Sequence, residues 1–452
     1  MTSSGIKLVY DVEDKPPMSK NIIFALQQFL AIIAATILVP VLVNSATGTE
    51  YLNQASALVG AGAGTIVYLL FTRFKSPVFL GSSFAFIPAL IGGTAFGYFG
   101  IIIGAILAGL VYVLLALIIW KCGTDWVDKY MPPIIIGPTV ALIGFSLASS
   151  AVSNLGGSTS YVTILIGVLT FFVVALASNR GPKSIRLYPF IIGILFGYVL
   201  AAILSAIGNA CNIAELASIM DYSAFDKVGD FNNWMPDLTF LGAFRDGTEL
   251  MSSAASWITV AVLFMPIAFV VFAEHIADHK NLGSIIGRDL IKEPGLKNTL
   301  LGDGVGSMVG AFFGGCPNTT YGESIGCVAL SRNASVYTIL LTAIICIVVA
   351  FIYPFVAFLT TIPSCVVGGI CIALYGYISV SGLRMFKDVD LNNSRNLYVV
   401  AAIFITGIGG LSLDFSFDDQ TVTIGTIACA LIIGIITNLL LSYKAKADDD
   451  FE

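Results

Sequence analysis

The sequence predicts an all-α polytopic membrane protein, on the basis of its composition, its long apolar segments and the placement of its charges. Of its 452 residues, 57% are hydrophobic and only 11% are charged, and the mean hydropathy is +0.91. Soluble domains carry about 25% charged residues, so this composition excludes a soluble globular fold. The eight cysteines include no CxxC pair and lie mostly in or beside apolar segments, which is typical of buried free thiols.

Fourteen apolar segments are candidate membrane spans, because about 20 apolar residues cross a bilayer as a helix. Two of them, the third and the tenth, are conspicuously short. In chain order the predicted spans are 21–43, 52–72, 78–92, 97–120, 131–152, 161–178, 187–208, 256–277, 296–314, 318–331, 335–356, 362–383, 397–411 and 421–443.

The positive charges support this count independently. If both termini are cytoplasmic, the alternation of spans places 20 of the 22 Lys and Arg residues on the inner side, and only Lys227 and Arg245 fall outside. Cytoplasmic loops of membrane proteins are enriched in Lys and Arg. We therefore predict a cytoplasmic N-terminal tail at 1–20, an extracellular acidic loop at 209–255 and a cytoplasmic tail at 444–452.

Two local matches indicate an internal repeat. The pattern A-L-x-G-F-x-x-x-S at 141–149 in the fifth span recurs as A-L-x-G-Y-x-x-x-S at 373–381 in the twelfth. In the third and tenth spans, S-S-F at 82–84 resembles T-T-Y at 319–321. Both pairs join spans seven apart, and because seven is odd the second copy must enter the membrane inverted. The sequence therefore predicts two inverted seven-span repeats, at 21–208 and 256–443.

The short third and tenth spans are predicted to be interrupted. The segments 77–84 and 317–322 hold β-prone and hydroxyl residues with Gly and Pro between them, and each then turns apolar. We expect a short β-strand followed by a half-helix in each. The two strands can pair at the membrane centre and leave backbone N–H groups at the half-helix starts for a ligand. Carriers with inverted repeats bind their substrates at such interruptions.

Two glutamates are the main candidates for substrate binding. Glu323 lies in the interrupted tenth span, and Glu274 lies deep in the eighth, where Ala261–Ala273 carries no charge. Ionised carboxylates only accept hydrogen bonds, so the pair suits a neutral planar ligand rich in N–H donors, such as a pyrimidine or purine. Intramembrane carboxylates also serve as proton relays, so proton symport is expected, with no other cofactor.

The end of the eighth span carries further polar residues. Asp278 lies four residues after Glu274 and shares its helix face. His275 and His279 form a second pair at the same spacing, but two ligands are too few to predict a metal site. We expect His279 and Lys280 to lie in the lipid headgroup region, where such side chains meet water.

Other classes of function fit the sequence less well. A channel would need a polar stripe on several spans, and an enzyme would need a nucleophile–base set or a metal cluster; we find only the local break and two histidines. The glycine-rich stretches at 60–64 and 302–310 lack the spacing of nucleotide-binding loops and favour close helix packing. An anion carrier would need a cationic residue at the site, and the nearest, Arg332, is expected to be a cytoplasmic anchor. The sequence therefore predicts a transporter and not an enzyme.

Three motifs resemble the nucleobase–ascorbate transporter family, and most closely its uracil permeases. They are N-T-T-Y-G-E-x-I-G at 318–326, A-E-H at 273–275 and L-G-S-S-F-A-F at 80–86. The resemblance covers essentially the whole chain. It implies a secondary carrier that imports uracil across the plasma membrane with protons by an elevator-like movement, commonly as a homodimer within the membrane lipid. It also implies a core domain of spans 1–4 and 8–11 that moves against a gate domain of spans 5–7 and 12–14.

The resemblance further implies the residues of the site. Glu274 and Glu323 would hydrogen-bond the base, aided by the backbone at Phe84, Tyr321 and Gly322. A side chain one helical turn after the first glutamate helps to arrange it in this family, and Asp278 occupies that position.

Three departures from the family pattern leave the substrate open. Uracil permeases often carry His where this chain has Asp278, and an acid there is typical of the purine-transporting branch. Ser324 and Ser331 stand where the family usually has Asn and Thr. Both serines can still form hydrogen bonds but with a shorter reach, which changes the expected shape of the pocket, and Ser324 is expected to help organise the site or its proton coupling. A xanthine or other purine permease is therefore the alternative, followed by an anion carrier of the same architecture and a channel.

Overall fold

The computed structural model describes residues 7–123, 126, 132–156, 161–182, 185–236, 238, 240, 243–244, 249–387, 389–417 and 420–444. The predicted cytoplasmic tail at 444–452 lies outside the described residues except for Lys444, and the predicted acidic loop at 209–255 is described only in part.

The first half of the chain is mainly helical. Short 3₁₀ turns occur at Phe84–Phe86, Thr94–Phe96 and Ile185–Leu187. The regular elements are α1 (Met18–Thr47), α2 (Gln54–Phe71), β1 (Leu80–Ser82), α3 (Ile87–Gly93), α4 (Gly97–Cys122), α5 (Pro133–Ser146), α6 (Ala148–Asn154), α7 (Tyr161–Arg180) and α8 (Pro189–Cys211).

The second half is also mainly helical. It follows a connecting segment with two short helices and a 3₁₀ turn at Phe231–Trp234. A π-helical turn at Ile291–Gly295 follows the longest helix of this half. The regular elements are α9 (Ala214–Ala217), α10 (Ser223–Asp226), α11 (Ala254–Ile286), α12 (Leu296–Phe312), β2 (Asn318–Thr320), α13 (Gly322–Ser331), α14 (Val336–Ala350), α15 (Tyr353–Thr360), α16 (Ser364–Met385), α17 (Ser394–Ile408), β3 (Leu413–Phe417), β4 (Gln420–Ile424) and α18 (Thr426–Lys444).

The helices identify a polytopic membrane protein. Within the described ranges, eight helices are long and apolar enough to cross a membrane, or nine if the pair α14 and α15, bent by 82°, forms one span. Every predicted span contains a helix, but α3 and α13 have only seven and ten residues. At about 1.5 Å per residue, neither can cross a hydrocarbon core about 30 Å thick. The count of fourteen spans therefore stays a prediction.

Strands β1 and β2 pair antiparallel, with Leu80 opposite Thr320 and Ser82 opposite Asn318. The pairing extends at both ends, because Ser83 N donates to Pro317 O at 2.9 Å and Tyr321 N donates to Phe79 O at 3.1 Å. These bonds satisfy buried backbone groups that would otherwise carry a large desolvation cost. The interrupted segments of the two halves thus meet in one place. The predicted fourteenth span begins differently, since β4 occupies its first residues.

The glycine-rich stretches at 60–64 and 302–310 bring α2 and α12 into close contact. A Cβ on Gly64 would lie 2.7 Å from Gly306 O and 2.3 Å from Asn318 Nδ2. Glycine lets the two backbones approach and seats the Asn318 side chain, which donates to Gly60 O at 2.9 Å. The prediction of close helix packing at these glycines is confirmed.

The described part of the N-terminal tail, from residue 7 onward, packs along the segment that follows α13. Tyr10 forms a parallel bridge with Asn333, and Val336 N donates to Val12 O at 3.0 Å. Asp11 pairs with Arg288, beyond the end of α11, at 2.7 Å. The tail therefore links the ends of α11 and α13, an arrangement that the predicted cytoplasmic tail did not include.

Candidate functional site

A cavity of about 140 Å³ lies where α11, β2, α13 and the 3₁₀ turn after β1 meet α5 and α16. On the measure used for buried water, one molecule needs roughly 10–15 Å³, so this space accommodates a small heterocycle. Among the described residues, no lysine or arginine lines it. Six of the seven predicted site residues do: Phe84, Glu274, Asp278, Tyr321, Gly322 and Glu323.

Helix α11 supplies two of the three carboxylates. Glu274 and Asp278 are four residues apart, so they project from the same face of the helix. Asp278 Oδ2 accepts a hydrogen bond of 2.6 Å from the Thr320 hydroxyl of β2. This bond fixes the Asp278 side chain and ties α11 to the strand that precedes α13.

The third carboxylate lies at the start of α13. Tyr321 is extended, with φ −104° and ψ 119°, and the helix begins at Gly322, which places Glu323 in the first turn. The first N–H groups of a helix have no partner within it, and the helix dipole favours negative charge there. This end of α13 therefore offers the cavity both backbone N–H donors that the helix itself does not use and a carboxylate acceptor.

Two aromatic residues complete the walls. The Tyr321 hydroxyl donates to Ser82 O at 2.9 Å, and its ring lies so close to Gly81 that a Cβ there would be 2.3 Å away. Phe84 packs edge-on against Tyr375 of α16, with ring centroids 6.2 Å apart. The contacts hold Tyr321 against β1 and place Phe84 between the cavity and α16.

Ser324 is the predicted site residue that does not line the cavity. It is fully buried on the far side of α13, where the Gln28 side chain of α1 hydrogen-bonds its hydroxyl and donates to its carbonyl oxygen at 3.2 Å. Ser324 therefore positions α13 against α1. Gln28 was missed in the sequence because 296 residues separate it from Ser324.

The expectation for His279 is wrong. Both histidines of α11 are fully buried, whereas Lys280 is exposed. His279 Nδ1 donates to the His275 carbonyl at 2.7 Å, and Nε2 lies 2.7 Å from the Tyr68 hydroxyl of α2. The helix continues nine residues past the predicted span end at 277, so His279 faces protein instead of water.

His275 anchors the same buried network. Its Nδ1 lies 2.7 Å from Asp303 Oδ2 and its Nε2 lies 2.9 Å from the Thr299 hydroxyl, both on α12. Hydrogen bonds thus occupy both ring nitrogens of both histidines. The network links α11, α2 and α12 directly behind Glu274 and Asp278. Asp303 and Tyr68 are members that sequence patterns did not single out.

Comparison with known proteins places the chain in a family. A family model described as a permease family matches residues 19–414. The uracil permease of Bacillus caldolyticus is 37% identical, with 98% of this chain and 97% of that protein covered. The uracil permease of Bacillus subtilis (strain 168) is 35% identical, with 98% of each covered.

Among solved structures, the transmembrane domain of the cyanobacterial bicarbonate transporter BicA has a TM-score of 0.59 at 15% identity. The match covers 95% of this chain and 100% of that one. This likeness concerns the fold alone, whereas the sequence matches extend over nearly the full length of both chains. The chain therefore belongs to the nucleobase–ascorbate transporter family and is a multi-pass permease of the cell membrane, not an enzyme.

Proposed function

We propose that this permease imports uracil by proton symport. The observation that carries the proposal is the pair of glutamates, Glu274 and Glu323, on the walls of one small cavity that no described lysine or arginine lines. Uracil is neutral and planar and carries N–H donors, and carboxylates are acceptors that pair with such donors. The relatives of similar length are named uracil permeases.

Within this proposal each site residue has a role. Glu274 and Glu323 accept the N–H groups of the base, and the backbone at Phe84, Tyr321 and Gly322 completes its hydrogen bonding. Asp278, held by Thr320, organises Glu274 or carries the coupled proton. Ser324 acts from behind by fixing α13 through Gln28. The coupling ion is H⁺, and no other cofactor is needed.

The proposed architecture is the fourteen-span inverted repeat, with both termini in the cytoplasm and a homodimer as the working unit. The core domain comprises spans 1–4 and 8–11, and the gate domain comprises spans 5–7 and 12–14. In support, the cavity lies between core elements α11 and α13 and gate elements α5 and α16. An elevator-like movement of the core would therefore carry the substrate past the gate.

Uptake of radiolabelled uracil by a transport-deficient host that expresses the chain tests the function. We expect saturable uptake that a protonophore abolishes, because symport uses the proton gradient. Absent uracil uptake, in cells shown to contain the protein in the membrane, would overturn the proposal.

Asp278 supports one second candidate, a xanthine or other purine permease. An excess of unlabelled xanthine separates the two readings in the same assay. If uracil is transported and xanthine does not compete, the protein is not a purine permease. If labelled xanthine is taken up and uracil is not, the protein is a purine permease and the uracil proposal is wrong.

A further inference from the structure

A small cavity of about 50 Å³ lies between the proposed core and gate domains, away from the substrate cavity. Core helices α1 and α2 form one wall, with Val41 and Gln54. Gate helices α8 and α16, and the helix α15 that leads into α16, form the other, with Ile194 and Leu359. The turn before α2 follows the first predicted span, so the charge count assigns it to the outer side. The cavity therefore marks the contact of the two domains on that side.

Gln54, the first residue of α2, brings an unpaired polar atom into this outer contact. Its side-chain oxygen Oε1 is buried and has no hydrogen-bond partner among the described residues. The neighbouring amides are paired, since Asn44 donates to the carbonyl oxygen of Leu52 at 2.6 Å and Asn53 accepts from Ala55 N at 2.8 Å. Gln54 therefore differs from the amides around it.

This cavity suits water poorly. A buried water needs roughly 10–15 Å³ and two to four polar partners, so the volume is sufficient but the partners are few. Of the described lining residues, only Thr360 besides Gln54 has a polar side chain, and its hydroxyl already donates to Ala357 O at 2.9 Å. The other lining side chains are aliphatic. The oxygen of Gln54 therefore lacks good partners while the outer contact is closed.

An unpaired oxygen destabilises the closed contact relative to an open one. A buried acceptor without a partner carries the full desolvation penalty of that group. The proposed elevator-like movement separates the core wall of the cavity from the gate wall, and water then reaches Gln54. Because the residue is solvated differently in the two states, it shifts the equilibrium between them.

We propose that Gln54 is a built-in destabilising residue of the outer contact, which shifts the protein toward the state with an open outer side. The proposal rests on the alternating movement of the proposed function and adds a residue that lies outside the substrate cavity. Gln54 need not touch the substrate. A fully paired water held by Gln54 is the competing explanation, and it predicts the opposite effect when the amide is removed.

Replacement of Gln54 by methionine removes the unpaired oxygen. Methionine has an unbranched, flexible and apolar side chain that adapts to irregular gaps, so Gln54→Met should stabilise the closed contact. Gln54→Glu keeps the shape of the side chain but adds a charge, which is costlier to bury than an amide, and it should favour the open state. Glu50→Met, at an exposed position of the turn before α2, is the matched control.

A cysteine at Val41 reports the opening of the contact. In a chain with Cys122→Ser and Cys211→Ser, the six remaining native cysteines are buried, so a membrane-impermeant maleimide added to right-side-out vesicles reads Val41→Cys. In this background, Gln54→Met should lower the labelling rate by about 5- to 150-fold, the factor that corresponds to the penalty of one unpaired buried group. Gln54→Glu should raise the rate, and Glu50→Met should leave it within about twofold.

Uracil uptake and thermal melting give two further readouts. Gln54→Met should lower the rate of uptake by up to the same factor, because each transport cycle has to reopen the contact. Its Tm should equal or exceed that of wild type, because the variant removes a buried unpaired group. A purely structural role of Gln54 would instead lower the Tm.

The outcomes separate this proposal from the proposed function. Labelling of Gln54→Met at the rate of the parent chain, an equal fall in Glu50→Met, or no labelling in any variant would overturn the proposal. Faster labelling of Gln54→Met with a lower Tm would show that a water pairs Gln54, which also overturns it. Labelling needs no substrate, so if the wild-type protein neither binds nor transports uracil, the proposed function fails while a labelling rate that depends on Gln54 still stands.

Discussion

Replacing either cavity glutamate by glutamine tests the site most directly. Glu274→Gln and Glu323→Gln keep the shape of the side chain but convert an ionised acceptor into a neutral amide. Hydrogen bonds to charged groups contribute about 1.5–3 kcal/mol, against about 0.5–1.5 kcal/mol for neutral pairs. The amide NH₂ can also face an N–H of the base, which leaves both donors unsatisfied.

The structure indicates that each variant loses binding free energy in the range of a hydrogen bond to a charged group. The cavity of about 140 Å³ leaves little room for water beside a bound ring, so water cannot easily replace the lost hydrogen bond. A loss of about 1.5–3 kcal/mol corresponds to a rise in Kd of roughly 10- to 100-fold for each variant. The expected result is thus a large loss of affinity in a folded protein.

Titration calorimetry with uracil on purified protein measures the Kd, and a thermal melt checks the fold. Glu215→Gln makes the same chemical change at an exposed position of α9 and should bind like wild type. Wild-type affinity in both cavity variants would refute the assignment of the two glutamates. A loss in Glu215→Gln of similar size would show that the effect is not specific to the site.

Three other predictions concern the support of the site. Thr320→Val removes the hydroxyl that donates to Asp278, and we expect weaker uracil binding and a loss of about 1–3 kcal/mol in the free energy of unfolding. Gly64→Ala brings a Cβ within 2.3 Å of a neighbouring side chain, so overpacking should cost about 1–3 kcal/mol and lower the Tm, whereas Gly425→Ala, with open space around its Cβ, should not. Deleting residues 7–15 removes the backbone hydrogen bonds beside α13 and should lower both the Tm and uracil uptake.

For each of these three predictions, a specific result would contradict it. Thr320→Ser keeps a hydroxyl and should retain most of the binding; equal losses in Thr320→Ser and Thr320→Val would mean that the hydroxyl is not the cause. A Gly64→Ala variant that melts like Gly425→Ala would contradict the tight packing of α2 on α12. Asp11→Asn removes the charge of a partly exposed ion pair, worth about 0–1 kcal/mol, and keeps an oxygen that can accept from Val12 N. It should therefore fall well short of the deletion.

The features that sequence reasoning predicted are those with a local signature. The strands β1 and β2 were marked by hydroxyl and β-branched residues beside Gly and Pro, and the cavity carboxylates stood out as charges within apolar segments. The glycine stretches on α2 and α12 had a spacing typical of close packing. Each signal lies within about ten residues and follows directly from the cost of burying charge or backbone in a membrane.

The features that were missed depend on contacts between distant parts of the chain. Gln28 and Ser324 are 296 residues apart, and no local pattern indicates that they meet. His279 beside Lys280 resembled a helix end in the headgroup region, because a charged neighbour usually marks one. In the structure, Tyr68 and the His275 carbonyl pair with both ring nitrogens of His279, so burial costs little in lost hydrogen bonds.

The same contacts that make the broken helices stable also build the site. A helix as short as α13 cannot span the membrane, so the extended segment before it needs backbone partners within the bilayer. Strand β1 supplies them, with Ser82 opposite Asn318. That pairing also fixes where α13 begins, and hence where Glu323 and the open N–H groups point. Damage to β1 or β2 should therefore lower substrate affinity and thermal stability together, whereas the cavity glutamates should affect affinity alone. A strand variant that kept full affinity at a clearly reduced Tm would show that the pairing supports the fold without orienting the site.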